Sequence, residues 1–228
     1  MREVVLDTET TGLDPAEGHR VVEIGAVELW NHLPTGRTFH RYLNPERPMP
    51  PEAQAVHGLD DAFLRDKPLF HQIADDLIAF LGDAPMIAHN AGFDARFLNA
   101  EFRRIDLPPL DPARIIDTRA MAMARFPGAP SSLDALCRRF GVDNSARTKH
   151  GALLDSEILA EVYLELVGGR QPGFGLAPAQ DRARRPGAAP QTPRTRPRPL
   201  APRITPAEAE AHAAFVAAMG PGALWLRD

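Results

Sequence analysis

Two carboxylates, Asp7 and Glu9, stand in the short apolar run VVLDTETTG that begins at Val4, and no other feature restricts the fold as much. The run reads as a strand entering a glycine-containing turn. Alternate strand residues share a face, so Asp7 and Glu9 point the same way as Val5. A fold that accepts this strand must leave its acidic end in solvent or bring a cation to it. On these residues alone a solvated edge is the expected reading and a divalent metal site the alternative. The choice rests on which other ligands the chain brings to the same place.

The order of elements limits the answer. Strand-like runs at 3–8, 20–30 and 37–44 come first, and the turn-rich connection NHLPTG between the last two predicts an antiparallel hairpin. From residue 66 the spacing becomes helical, with Phe70, Ile73, Leu77 and Leu81 on one stripe. A short strand at 86–89, a helix from about Gly92 and a buried strand at 114–118 follow. Ser131 and Asp134 form a capping-box pattern before LDALCRRF, and a last long helix over about 151–167 stops at Gly168-Gly169. Antiparallel strands followed by alternating helices and strands predict an α/β domain, a mixed sheet covered by helices.

Beyond Gly169 the composition changes. Residues 168–203 hold eight of the 23 prolines and eight arginines against one aspartate, which predicts a disordered, flexible linker. Residues 1–167 carry 17 Lys/Arg against 26 Asp/Glu, and this acidic front is unlike a nucleic-acid binder unless metal sites account for it. Order is expected to return near the end, where Thr205, Pro206 and Glu208 match the cap, first-turn proline and capping-box positions of a short terminal helix. Cys137 is the single cysteine, which excludes an internal disulfide and reads as a core thiol. No apolar run is long enough to span a bilayer and no signal peptide is visible, so a cytoplasmic protein with no membrane partner is expected.

Three further stretches carry candidate ligands. IAHNAGFD ends a strand and places Asp94 in the first turn of a helix, while KHGALLD places His150 just before the last helix and Asp155 one turn inside it. An acid on the inner side of a buried helix needs a partner. Asp7, Glu9, Asp94 and Asp155 together could neutralise two divalent ions, and hard oxygen ligands favour Mg²⁺ or Mn²⁺ over structural zinc. His57 alone reads as an ordinary loop histidine before Gly58. His89 and Asn90 read as satisfying backbone groups at a strand end, and Phe93 and Phe97 as core.

The motifs LDTETTG, VHGL, IAHNAGFD and HGALLD, in this order, resemble those of the DEDDh exonucleases, named for four acids and a histidine. Within that family RVVEIGAVEL, FPGAPSSLDALC and DNSARTKHGALLDSEILAEVYLELVGG are most similar to the proofreading (epsilon) subunits of bacterial DNA polymerase III. The resemblance implies a ribonuclease H-like fold and metal-dependent 3′–5′ removal of mispaired nucleotides from a frayed or single-stranded DNA end. It further implies that Asp7, Glu9 and Asp155 hold a first ion, that Asp7 reaches a second with Asp94 nearby, and that His150 is the general base. Glu52 and His57 fall at positions that hold the terminal nucleotide. The implied organisation is a nuclease domain over 1–170, a sliding-clamp-binding peptide at 171–176 (Gln171, Phe174 and Leu176), a Pro/Arg-rich linker over 177–203 and a tail over 204–228 for the polymerase catalytic (alpha) subunit. A coil of the linker's length has a root-mean-square reach of about 30 Å, or about 80 Å if fully polyproline-like. An RNA 3′-end trimmer would carry the same catalytic residues, but the linker, clamp-like peptide and terminal helix favour replication. A non-catalytic polymerase-stabilising subunit is the other alternative, and the intact set of five residues speaks against it.

Overall fold

The computed structural model describes residues 1–147, 149–169 and 204–220. Strand β1 (Arg2–Thr10) carries Val4, Val5 and Leu6 on its two faces, and the fold covers both. It lies in the middle of a five-stranded sheet of order β3-β2-β1-β4-β5. Strands β2 (Val21–Trp30) and β3 (Leu33–Tyr42) run antiparallel to their neighbours, whereas β4 (Met86–Ala88) and β5 (Ile115–Asp117) join parallel on the other side. The mixed sheet expected from the order of elements is present.

One face of β1 sends Val4 and Leu6 into a core with helices α3 (Phe70–Leu81) and α4 (Gly92–Arg104), the helical stripe of Phe70, Ile73, Leu77 and Leu81 included. The opposite face sends Val5 into a second core with α5 (Thr118–Arg125), α6 (Leu133–Phe140) and α7 (Ala152–Val167). Cys137 is free and buried there, as a core thiol should be. Two short helices, α1 (Pro51–His57) and α2 (Asp61–Leu64), cover the end of the sheet beyond β3. The second unit of the chain contains α8 (Pro206–Ala218), where the Thr205 hydroxyl accepts from the Glu208 amide and the Glu208 carboxylate accepts from the Thr205 amide. No helix among the described residues is long and apolar enough to cross a membrane.

Three local expectations are corrected. The β2–β3 connection is not the six-residue stretch NHLPTG, because Trp30 pairs with Leu33 and the turn is Asn31-His32 alone. Both turn residues have positive φ, 50° and 68°, as a tight hairpin turn of right-handed strands requires. Pro34 lies within β3, which tolerates it because it is an edge strand. The cap of α6 is Ser132, which accepts from the Ala135 amide at 3.3 Å, and Asp134 is engaged elsewhere. Strand β5 is half-buried, not buried, because it is the other edge.

Candidate active site

The site begins with a glycine. Gly25 pairs with Asp7 across the β1–β2 ladder, and a Cβ there would meet the Leu153 nitrogen at 2.1 Å and the Ala152 carbonyl carbon at 2.2 Å. Only a residue without a side chain lets the first turn of α7 rest on the sheet. The buried Ser156 hydroxyl locks the contact by donating to the Gly25 carbonyl at 2.9 Å. Asp155, the residue before it, is thereby carried to the acidic end of β1. On the other side Thr8 donates its hydroxyl to Asp94 Oδ1 at 2.7 Å, tying the start of α4 to the same strand.

Glu9, His150 and Asp155 each offer a ligand atom, and these atoms lie within 4.8 Å of one another. Glu9 Oε1 is buried and has no hydrogen-bond partner among the described residues. Burial raises the Asp7 carboxyl well above its ordinary range, and the charges of Asp94, Glu9 and Asp155 push it further. Burial likewise lifts Glu9 to about 8, helped by Glu23, and Asp94 to about 7. Positive charge near Asp7 and Glu9 comes from Arg147 and does not offset burial and the neighbouring acids, and a hard-oxygen set with one imidazole and an orphaned carboxylate oxygen fits a divalent cation. Asp155 is the exception. Burial opposes its ionisation, yet hydrogen bonds from His150 and Arg147 hold it below the ordinary carboxylate value.

Arg147 is the residue that sequence reasoning missed. Its Nε and Nη2 donate to Asp155 Oδ1 and Oδ2 at 2.5 and 2.8 Å, and its Nη1 donates to Asp134 at 2.9 Å. The hydrogen bond to Asp155 raises its own pKa. His150 Nδ1 lies 2.9 Å from Arg147 Nη2 and 3.4 Å from Asp155 Oδ2. The His150 amide donates to the Val56 carbonyl at 3.3 Å, which fastens this loop to α1. A lone arginine in a loop carries no local signal of such a role, although a glycine inside a strand does mark a close approach.

Two clefts of about 530 Å³ flank the acidic segment. One contains Asp7, Asp155, His150, Arg147 and Arg119. The other contains Thr8, Glu9, Glu52, Val56, His57 and Phe93. His57 is not a loop histidine as its residues alone suggested but the buried last residue of α1; its Nδ1 accepts from the Leu59 amide at 3.0 Å, and burial lowers its pKa. Phe97 is fully buried core as expected, but Phe93 is half-buried and forms part of the cleft wall. His89 Nδ1 lies 3.0 Å from the Thr118 hydroxyl and its ring is also engaged by a backbone group of Ser131, while the backbone N–H of Asn90 donates to the Asp117 carboxylate at 3.1 Å. Gln171, Phe174 and Leu176, with the rest of 170–203, lie outside the described residues.

Comparison with known proteins identifies the family. The exonuclease family model (RNase_T) matches residues 4–163. The chain is 58% identical over 179 residues to the DNA polymerase III subunit epsilon of Rickettsia conorii, covering 77% of this chain and 78% of the relative. It is 49% identical over 176 residues to the subunit of the same name from Escherichia coli, covering 74% and 72%. Among solved structures, Exonuclease X in complex with 5′-overhanging duplex DNA is 28% identical with a TM-score of 0.57, covering 72% of this chain and 90% of that one. The nuclease domain of 3′hExo, a DEDDh member bound to rAMP, shares the fold at a TM-score of 0.63 and 21% identity, covering 73% and 91%. The chain belongs to the exonuclease family, in the DEDDh branch that contains the epsilon subunits of DNA polymerase III.

Proposed function

We propose that this chain proofreads replicated DNA, hydrolysing the terminal phosphodiester of a mispaired 3′ end. The observation that carries the reading is the convergence of Glu9, His150 and Asp155 within 4.8 Å beside a buried, unpartnered Glu9 oxygen. Asp7, Glu9 and Asp155 are suited to hold one divalent ion, and Asp7 with Asp94 a second, Mg²⁺ or Mn²⁺ by the hardness of the donors. When bound, two such ions supply the positive charge that favours an ionised nucleophile and a departing 3′ oxygen.

The chain's own residues do the rest. His150 is half exposed at the mouth of the cleft, where an imidazole can accept the proton of the attacking water. Its backbone tie to Val56 keeps that imidazole in step with α1. Glu52 and His57 line the adjoining cleft, which supports a role for them in holding the terminal sugar and base, with Phe93 as an apolar wall. The cleft accepts an unpaired end, so a mispair reaches it more often because less pairing is broken. Selectivity then comes from the cost of fraying, not from reading the wrong base.

The same reading assigns residues 171–176 to a sliding clamp and 204–228 to the polymerase alpha subunit. Support for the latter is α8, a capped helix of 13 residues, marginal alone in water and expected to need a partner surface. The test of the central claim is digestion of matched and mismatched 3′ ends, in DNA and in RNA, with Mg²⁺ and with chelator. Faster release from mismatched DNA, abolished by chelator, is the expected result. Equal rates on matched and mismatched ends would refute proofreading, and preference for RNA would reassign the substrate.

A further inference from the structure

The guanidinium of Arg147 occupies the coordinating side of Asp155. Two of its nitrogens face the two oxygens of that carboxylate in a parallel fork at 2.5 and 2.8 Å, the strongest arrangement available to an arginine–carboxylate pair. Its third nitrogen is held at 2.9 Å by Asp134 on α6, which also accepts from Asn144 at 3.0 Å. The side chain is 10% exposed, so solvent screens little of its charge. Asp7, Glu9 and Asp94 stand in the same site without an ion pair among the described residues, Arg147 acting on Asp7 and Glu9 only through its more distant charge, and Glu9 keeps an oxygen unpaired by any described residue.

A divalent ion on Asp155 would lie beside this guanidinium in a poorly screened space. Like charges so close repel strongly where water is scarce. The fork and the ion also compete for the same two oxygens. We infer that Arg147 is the resident cation of this site, neutralising Asp155 when no metal is bound and leaving it when metal enters. This rests on the metal-site reading of Asp7, Glu9 and Asp155. Asp134 supplies the place to which the released guanidinium stays attached. From there it stands in the cleft that also holds Arg119, positively charged and turned toward space open to a phosphate. His150, 2.9 Å from the same guanidinium, loses that neighbour on release, so metal entry and the freeing of the imidazole are one event.

The competition lowers apparent metal affinity by the fraction of time the fork is closed. It is tested by titrating the full chain with Mn²⁺, reading free ion by electron paramagnetic resonance, and by melting each protein in chelator and in Mn²⁺. Arg147→Gln removes fork and charge, while Arg147→Lys keeps the charge and loses the fork. Arg147→Gln is expected to bind Mn²⁺ roughly tenfold more tightly than the natural chain. Arg147→Lys should also bind more tightly, by a smaller factor. In chelator both variants should melt lower, and Mn²⁺ should raise their Tm by more than it raises that of the natural chain. Affinity of Arg147→Gln equal to or weaker than the natural chain would overturn the inference. So would an Arg147→Lys variant indistinguishable from the natural chain, which would reduce the effect to charge alone. If Arg147→Gln does not fold, the Arg147→Lys comparison decides by the same criterion. Absence of Mn²⁺ binding by the natural chain overturns this inference together with the reading on which it rests.

Discussion

Asp7 and Asp155 serve one site but have opposite relations to the fold. Asp7 is raised by burial and by three neighbouring acids, so its ionised form costs stability. Asp155 is paired with a guanidinium and an imidazole, so removing it strands Arg147. Both Asp7→Asn and Asp155→Asn should abolish Mg²⁺-dependent hydrolysis. In chelator, however, Asp7→Asn should melt no lower than the natural chain, while Asp155→Asn should lose about 3 kcal/mol, the scale of a broken buried pair. Chemical denaturation checks this, and equal losses in both variants would contradict the assignment of Arg147. Glu9 makes a separate prediction. Its carboxyl rises from an ordinary 4.5 to about 8 through burial, so between those values the folded chain binds more protons than the unfolded one. Stability must then fall as pH rises across that window. Melting in chelator from pH 5 to 8 should show a decline that is shallower in Glu9→Gln, and divalent metal should reduce the decline of the natural chain. Parallel curves for the two proteins without metal would refute the shift.

At the scale of elements, Gly25 decides whether α7 reaches the sheet. Gly25→Ala would place a Cβ about 2 Å from α7 backbone, which cannot rotate away as a side chain can. The helix must shift, carrying Asp155 from Asp7, and a displacement near 1 Å costs about 10²-fold in rate. The expected result is a loss of that size in kcat/KM with a stability loss of about 1–3 kcal/mol. Full activity of Gly25→Ala would show that α7 adjusts freely. The contrast explains what was readable in the sequence. Asp7, Glu9, Asp94 and Asp155 each stand at an element end with a local pattern around them, and helix stripes such as that of α3 repeat visibly. The contact of Gly25 with Ser156 joins residues 131 apart, so only the isolated glycine in VVEIGAVEL hinted at it. Arg147 gave no hint, because its partners on α6 and α7 are set by packing. The hairpin turn at Asn31-His32 was hidden by Pro34, whose tolerance depends on the strand being an edge.

For the whole molecule, catalysis and recruitment are expected to reside in separate parts of the chain. Sheet, clefts and candidate ligands all belong to the first unit, and α8 belongs to the second. Deleting 204–228 should abolish co-elution with the polymerase alpha subunit and leave hydrolysis of short single strands within twofold of the full chain. Co-elution of a 1–176 fragment at full-length affinity would place the tether elsewhere. The sheet edges restrict how any partner can approach the first unit. On β3, Pro34 has no amide hydrogen to donate, and the ladder is then interrupted: Val27 and Leu29 are two residues apart while their partners Thr38 and Pro34 are four apart. Exposed Arg37 and Arg41 line the same strand. On the far side β5 is three residues long and passes directly into α5. Both borders are blunted in this way, β5 by its length and β3 by the interruption at Pro34 and by its arginines, although Thr38–Tyr42 pair with β2 without a break. Strand donation to its partners and edge-to-edge polymerisation of the domain with itself are therefore disfavoured, and recognition of this domain is expected to proceed through side chains.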